Sequence, residues 1–494
     1  MPNLIRHLFG YMPVNIVSGL VSFGGVFIFT RLLGADDYGR YALAFSSLHL
    51  IHTLTLTWCE AAGYRFTAEA EAQQRLPGHF RTSLILAIVS LVPALTVLGL
   101  VMAMLHAAPE FRAALIWLVV LLPASVFINL ALESHRASER VTRYSAVEIG
   151  RTLGGFILGV LLAWLGGYGA AAPLIGMAVA FAIAAVTEGI WLLRNSAGGK
   201  VERANVRRYV VYGVPVAMAL ILDLILSASD RFLIAYFIDE AAVGAYAAGY
   251  GVADKTTLMI CAWAAMAGSP LVMKAYEQHG RSEAERQARG LAQALILVAV
   301  PAAVGLAIVA GPLSEVMIGE VLRDQASQII PWIAFAGLFN GFLIHYFSEA
   351  FQLARKTAER ALIMIFPAAL NIGLNVWLLP TIGLMGAVYA TVGCYVLAVV
   401  LLAAFGRRHI AMPIPVSDLF KVAVASLAMV GSVQLIPSFI PLLELMTKAG
   451  AGAIVYALVV VSLNAAGARN MAGLLWAKVT ARLKTRESAE SSLN

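Results

Sequence analysis

The chain has 494 residues, of which 60% are apolar and 13% charged, with a formal net charge of +7. No soluble fold hides that much apolar surface from water, so the solvent for most of the chain is lipid. The positive balance does not indicate nucleic acid, because the basic residues sit in short loops between apolar runs, where they set orientation in a membrane.

In the bilayer core the backbone must satisfy its own hydrogen bonds, and runs of roughly 20 apolar residues select helices over a closed barrel. The predicted fold class is therefore all-α and polytopic, with about 14 spans. They lie near residues 11–32, 41–62, 82–106, 112–132, 145–165, 170–193, 209–238, 241–270, 287–310, 327–350, 358–380, 384–406, 418–440 and 446–468. Val14 to Leu33 reads as a full-length first span, with no cleavable signal peptide and no lipidation motif expected. Cys59, Cys261 and Cys394 fall inside apolar runs and read as small core residues, not as a disulfide framework or thiolate site.

Alternate loops differ sharply in Lys and Arg. The basic side includes Arg136, Arg140 and Arg143, then Arg194, Lys200, Arg203, Arg207 and Arg208, then Lys274, Arg281, Arg286 and Arg289. That asymmetry predicts cytoplasmic N- and C-termini. Beyond Asn470, Leu474, Leu475, Trp476, Val479 and Leu483 alternate with Lys478, Arg482 and Lys484, the pattern of an interfacial amphipathic helix.

Two stretches follow one plan. Arg31-Leu-Leu-Gly-Ala-Asp-Asp-Tyr-Gly-Arg-Tyr41 joins the first two spans, and Ile238-Asp-Glu-Ala-Ala-Val-Gly-Ala-Tyr246 joins the seventh and eighth. Gly167-Tyr-Gly-Ala-Ala and Gly383-Leu-Met-Gly-Ala form a second matched pair. A parallel repeat of two six-span halves follows. The expected organisation is an N-lobe over 1–200, a C-lobe over 201–406, two further spans over 407–468 and a cytoplasmic tail over 469–494.

Charges within spans are costly, so they mark candidate function. Asp223, Ser227, Asp230 and Arg231 recur at helical spacing in the seventh span, and Tyr246, Tyr250 and Asp254, with Lys255 alongside, in the eighth. At about 1.5 Å per residue, Asp223, Asp254 and Lys255 lie at similar depth below the turn between the two spans. Arg231, Lys255, Tyr250 and His52 are the candidate substrate-binding residues, the two cations attracting an anionic head group. Asp223, Asp230 and Asp254 are the candidates for a coupling cation. The competing reading is a static Asp223–Lys255 pair that only holds helices together.

Other polar residues invite simpler roles. A lone His in a bundle, such as His52, more often bonds a neighbour than relays protons. Glu148 and Arg151 are spaced for a local ion pair or gate, and Asn371 and Asn375 for interhelical hydrogen bonds. Glu60, His345 and Glu349 are expected near cytoplasmic ends, within reach of water. No P-loop, His-Glu-x-x-His helix or Gly-x-Ser-x-Gly elbow occurs, so neither an enzyme nor a cofactor or metal is expected.

Three stretches in order, Arg31 to Tyr41, then Ser229-Asp-Arg-Phe-Leu-Ile-Ala-Tyr-Phe237 with Val243-Gly-Ala-Tyr246, then Asn371-Ile-Gly-Leu-Asn-Val-Trp-Leu-Leu-Pro380 leading to Tyr389, carry a family likeness. Over residues 8–406 the chain resembles the Wzx-type polysaccharide flippases, of the multidrug/oligosaccharidyl-lipid/polysaccharide exporter superfamily. The resemblance implies two six-helix lobes around an alternating-access cavity in the inner membrane. It implies movement of a polyprenyl diphosphate-linked oligosaccharide from the cytoplasmic to the outer leaflet, with membrane lipid around it and polymerase and glycosyltransferases of the same pathway as partners. It fits Arg231 and Lys255 as basic cavity residues, although the first half offers no equally deep cation. A cation-coupled multidrug extruder shares the fold and is the nearest alternative. A membrane sugar polymerase or ligase would need an outer loop or domain longer than any seen here, and a structural scaffold leaves the midplane charges unexplained.

Overall fold

A computed structural model of the chain describes residues 2–104 and 109–470, with side chains over 12–103 and 109–470. The tail pattern from Leu474 to Lys484 lies outside the described residues. Those residues form helices without a strand: α1 Pro2–Leu32, α2 Ala35–Thr55, α3 Thr57–Ala72, α4 Leu76–Met104, α5 Pro109–Leu115, α6 Leu118–Ala137, α7 Val141–Leu165, α8 Ala171–Asn195 and α9 Arg203–Phe237. They continue with α10 Glu240–His279, α11 Arg281–Ile308, α12 Ala310–Met317, α13 Glu320–Phe342, α14 Ser348–Leu353, α15 Thr357–Ile382, α16 Leu384–Gly406, α17 Val416–Gln434 and α18 Pro441–Ser462.

Among the described residues, 13 helices or joined helix pairs are long and apolar enough to cross a membrane. Their outer faces stay apolar where exposed: Leu20, Trp164, Ile183 and Leu362 are each more than 60% accessible, as a lipid-facing surface requires. The expected second span differs. It breaks at Leu56 into α2 and α3, because Ser46, Ser47, His49, His52, Thr53, Thr55 and Thr57 dilute its apolar run and compete for backbone bonds. The α13 span carries a π-helical turn at Leu343–Phe347 before α14.

The chain divides into two compact units. The first comprises Met1–Val252, Met317–Ala326 and Thr357–Cys394, and the second Ala253–Val316, Ser327–Lys356 and the chain from Tyr395 onward. In the first, α7 packs on α1 and α8, α6 on α8, and α9 on α3 and α15. In the second, α17 packs on α11 and α18.

The basic end of α9 is clasped within the first unit. Tyr209 Oη lies 2.5 Å from His79 Nδ1, and His79 Nε2 lies 3.0 Å from Thr67 Oγ1. Tyr209 also stacks on Phe66, with ring centroids 5.0 Å apart. Gly213 packs so closely on α3 that a Cβ there would come within 2.1 Å of the Trp58 carbonyl oxygen. These contacts fix the helix that bears Asp223 and Asp230.

Candidate functional site

Asp223 and Asp230 are two turns apart on α9 and so share a face. That face meets α15, which runs alongside in a fixed register: Ser229 Oγ donates to Asn371 Oδ1 at 3.1 Å, and Asn375 Nδ2 donates to Asp230 Oδ1 at 2.8 Å.

Asp230 is fully buried, and neutral donors surround it. Its Oδ2 accepts from Tyr246 Oη at 2.7 Å and from Thr391 Oγ1 at 2.6 Å. Tyr246, Thr391, Asn371 and Asn375 all have no accessible surface. A buried carboxylate without a cation is expensive, and three donors offset part of that cost. Asn375 Oδ1, also buried, has no hydrogen-bond partner. Two carboxylate oxygens, this amide oxygen and the hydroxyls of Thr391 and Tyr246 together form a set of hard oxygen donors, the chemistry that suits an alkali cation or a proton.

Arg231 and Tyr250 come together. The Arg231 guanidinium carbon sits 5.2 Å from the Tyr250 ring centroid, a cation–π contact. Arg231 is half-buried and Tyr250 buried.

Asp223 has a cationic partner on α15 that the sequence reading did not name. Its two oxygens each lie 3.0 Å from Nη2 of Arg360 on α15. Asp254 and Lys255 begin the second unit. There Asp254 is buried, with Gly337 so close to its Cα that a Cβ would come within 3.1 Å, and Lys255 is exposed.

His52 bonds a neighbour, as a lone bundle histidine usually does: its Nε2 lies 2.8 Å from Glu60 Oε1. Glu60 is not an end residue in contact with water but is buried at 9% exposure, in the first turn of α3 just past the break at Leu56. Glu148 and Arg151 form their local pair at 2.7 Å. His345 falls in the π-helical turn and Glu349 follows it, both half-buried.

Arg360 and Thr391 escaped the sequence reading. Arg360 stands at the onset of an apolar run, where a basic residue reads as an orientation signal. The available clue was its spacing from Asn371 and Asn375, 11 and 15 residues away and therefore on the same face of one helix.

A family model described as "Polysaccharide biosynthesis protein" matches residues 28–326, more than half of the chain. No curated protein matches. Among solved structures, the chain is similar to "Lipid II flippase MurJ, inward closed conformation", with a TM-score of 0.74 at 13% identity, over 92% of this chain and 99% of that one. It is also similar to an inward-facing multidrug resistance transporter of the MATE family and MOP superfamily, with a TM-score of 0.63 at 15% identity, over 82% of this chain and 95% of that one. A third likeness is to a MOP-superfamily transporter from Pyrococcus furiosus, with a TM-score of 0.53 at 16% identity, over 82% and 93%. The chain thus has the all-α polytopic fold of this superfamily.

Proposed function

Because the chain belongs to the family of polysaccharide biosynthesis proteins, we propose that it is a flippase for lipid-linked oligosaccharide, carrying a polyprenyl diphosphate-linked sugar chain across the inner membrane by alternating access. The observation that carries the reading is a membrane fold shared with a lipid II flippase in a chain whose family is named for polysaccharide synthesis. A diphosphate bearing sugars does not cross hydrocarbon unaided, because desolvating its charges costs far more than thermal energy supplies. A cationic path through the protein removes that cost while the tail stays in lipid.

In this reading the lobes are 1–200 and 201–406, spans 13 and 14 are appended, and both termini are cytoplasmic. Arg231 and Lys255 attract the diphosphate, and Tyr250 holds the Arg231 guanidinium in place. Asp230 binds the coupling cation in its ring of oxygens, which supports an antiport cycle. Asp223, bound by Arg360, and Asp254 complete the acidic set. Glycosyltransferases that build the substrate and a polymerase that consumes it are the partners.

A second reading, a cation-coupled drug extruder, draws support from the same fold and from the buried Asp230 carboxylate. One experiment separates the two. In a strain lacking the gene, lipid-linked oligosaccharide accumulates on the cytoplasmic leaflet, and wild type relieves it while Lys255→Ala and Arg231→Ala do not. Relief by all three keeps the flippase and discards these residues. Normal lipid sidedness with altered drug tolerance moves the assignment to the extruder.

A further inference from the structure

The second span breaks at Leu56, and the helix ends created there carry a base and an acid. His52 stands in the last turn of α2 and Glu60 in the first turn of α3. Their side chains are 13% and 11% exposed, and Nε2 to Oε1 is 2.8 Å. One hydrogen lies between Nε2 and Oε1, on the nitrogen when Glu60 is ionised and on the oxygen when it is not. Asn129 of α6 closes over the pair, with Nδ2 3.5 Å from His52 Nε2.

The break gives the pair an unusual electrostatic setting. A helix C-terminus favours a cation and a helix N-terminus an anion, so the ends of α2 and α3 favour imidazolium at His52 and carboxylate at Glu60. Burial opposes both charges.

The neighbouring charges are largely spoken for. His49 of α2 stacks edge-on against Phe45. Arg151 and Glu148 of α7 pair at 2.7 Å, and Glu133 of α6 pairs with Arg136 at 3.3 Å. From α4 the facing group is the Ser90 hydroxyl, 3.5 Å from the Cys59 sulfur. Tyr209 and Tyr212 of α9 lie against Phe66, farther along α3. Of the remaining charges on helices packed against α2, α9 carries Asp223, Asp230 and Arg231, described above, α1 carries Arg31, which donates to the Phe27 carbonyl at 2.7 Å, α5 carries Glu110 and Arg112, and α8 carries Glu188, which His135 and Arg143 hold.

We propose that His52 and Glu60 form an exchangeable-proton site in the first half of the chain, at the break between α2 and α3. Without the extra proton, the neutral imidazole donates to the carboxylate and the pair carries one negative charge. Uptake of one proton leaves the pair with no net charge, as imidazolium with carboxylate or as imidazole with carboxylic acid, and release reverses the step. The Leu56 N–H and the Thr57 hydroxyl both donate to the His52 carbonyl, at 2.8 and 3.4 Å, so one member of the pair also anchors the break. The coupling of this proton to transport rests on the flippase reading; the proton site itself does not.

The test uses the full chain, purified in detergent and in proteoliposomes. Between pH 8 and pH 5 the wild type takes up about one proton more than the His52→Gln/Glu60→Gln double variant, measured by a pH indicator in weakly buffered solution. Equal uptake overturns the site. Thermal unfolding in detergent shows that the double variant is folded, so a missing proton is not a missing fold. In proteoliposomes loaded with lipid-linked oligosaccharide, an imposed pH gradient accelerates flipping by wild type and leaves the double variant unchanged. A gradient response that survives in the double variant overturns the coupling. Normal proton uptake with no flipping by wild type removes the flippase reading and leaves the site standing.

Discussion

Arg360 holds Asp223 through a single guanidinium nitrogen placed 3.0 Å from each carboxylate oxygen. The register of α9 against α15 explains why. Ser229 meets Asn371 and Asp230 meets Asn375 at sequence offsets of 142 and 145, whereas Asp223 meets Arg360 at an offset of 137. Arg360 therefore stands five to eight residues nearer the start of α15 than the level of Asp223, and its long side chain spans the difference.

Removing the cation leaves a carboxylate in a poorly solvated place. Breaking a fully buried pair costs roughly 3–5 kcal/mol. The Asp223 side chain is 27% exposed, so the expected loss for Arg360→Leu is about 1–3 kcal/mol. Adding Asp223→Asn to that variant restores part of the loss, because no charge is then left unpaired. Thermal unfolding in detergent across the double-mutant cycle measures both effects. A double variant no more stable than Arg360→Leu alone would show that the pair does not act as a unit.

The Asp230 ring predicts a graded series. Asp230→Asn keeps the shape and removes the charge, so it is expected to abolish any dependence of transport on a sodium gradient while insertion and folding persist. Tyr246→Phe and Thr391→Val each remove one of three donors to the carboxylate and are expected to weaken the response about tenfold. Proteoliposome assays with one gradient at a time decide which cation is used. Full gradient dependence in Asp230→Asn would remove this residue from coupling.

The spans were legible in the sequence because hydropathy is a property of the segment itself, and α16 falls at the residues expected, 384–406. The break at Leu56 was not, since its cause is a scatter of Ser, Thr and His with no Pro or Gly to mark the place. Individual acids on α9 stood out for the same local reason. Their partners did not: Arg360 and Thr391 lie 137 and 161 residues away, and helix register decides which of them a carboxylate meets. Asn371 and Asn375 were recognised as interhelical bonding residues, but the register supplied their partners, Ser229 and Asp230.

Outside the spans, the Arg208 guanidinium holds the exposed Glu69 carboxyl below its usual range, through hydrogen bonds of 2.8 and 2.6 Å to its two oxygens. A carboxyl depressed on folding stabilises the folded state above the unfolded value, about 4.3, and that contribution fades as the pH falls through its own lower value. The wild type is therefore expected to lose a small increment of stability on acidification below about pH 4 that Arg208→Gln lacks. Unfolding midpoints of the two proteins measured from pH 6 down to pH 3 check the sign. A gap that widens toward acid contradicts it.

The two Gly-x-Tyr copies found in the sequence touch one another in the fold, at Gly39 of α2 and Gly244 of α10. A Cβ on Gly39 would lie 1.7 Å from the Glu240 carbonyl oxygen, and one on Gly244 would lie 2.7 Å from the Ala35 carbonyl oxygen. Each glycine thus meets the start of the other helix, a reciprocal contact that leaves no room for a methyl group on either side. Arg40 adds a longer-range attraction, 3.9 Å from Glu240. Overpacking a tight helix contact typically costs 1–3 kcal/mol, so Gly39→Ala and Gly244→Ala are each expected to destabilise by about that amount. Both substitutions push apart the same pair of helices, so once one has separated them the second finds room. The double variant is therefore expected to lose clearly less than the sum of the two, as coupled neighbours do. Strict additivity of the losses, read from unfolding in detergent, would mean that the two glycines do not share one contact.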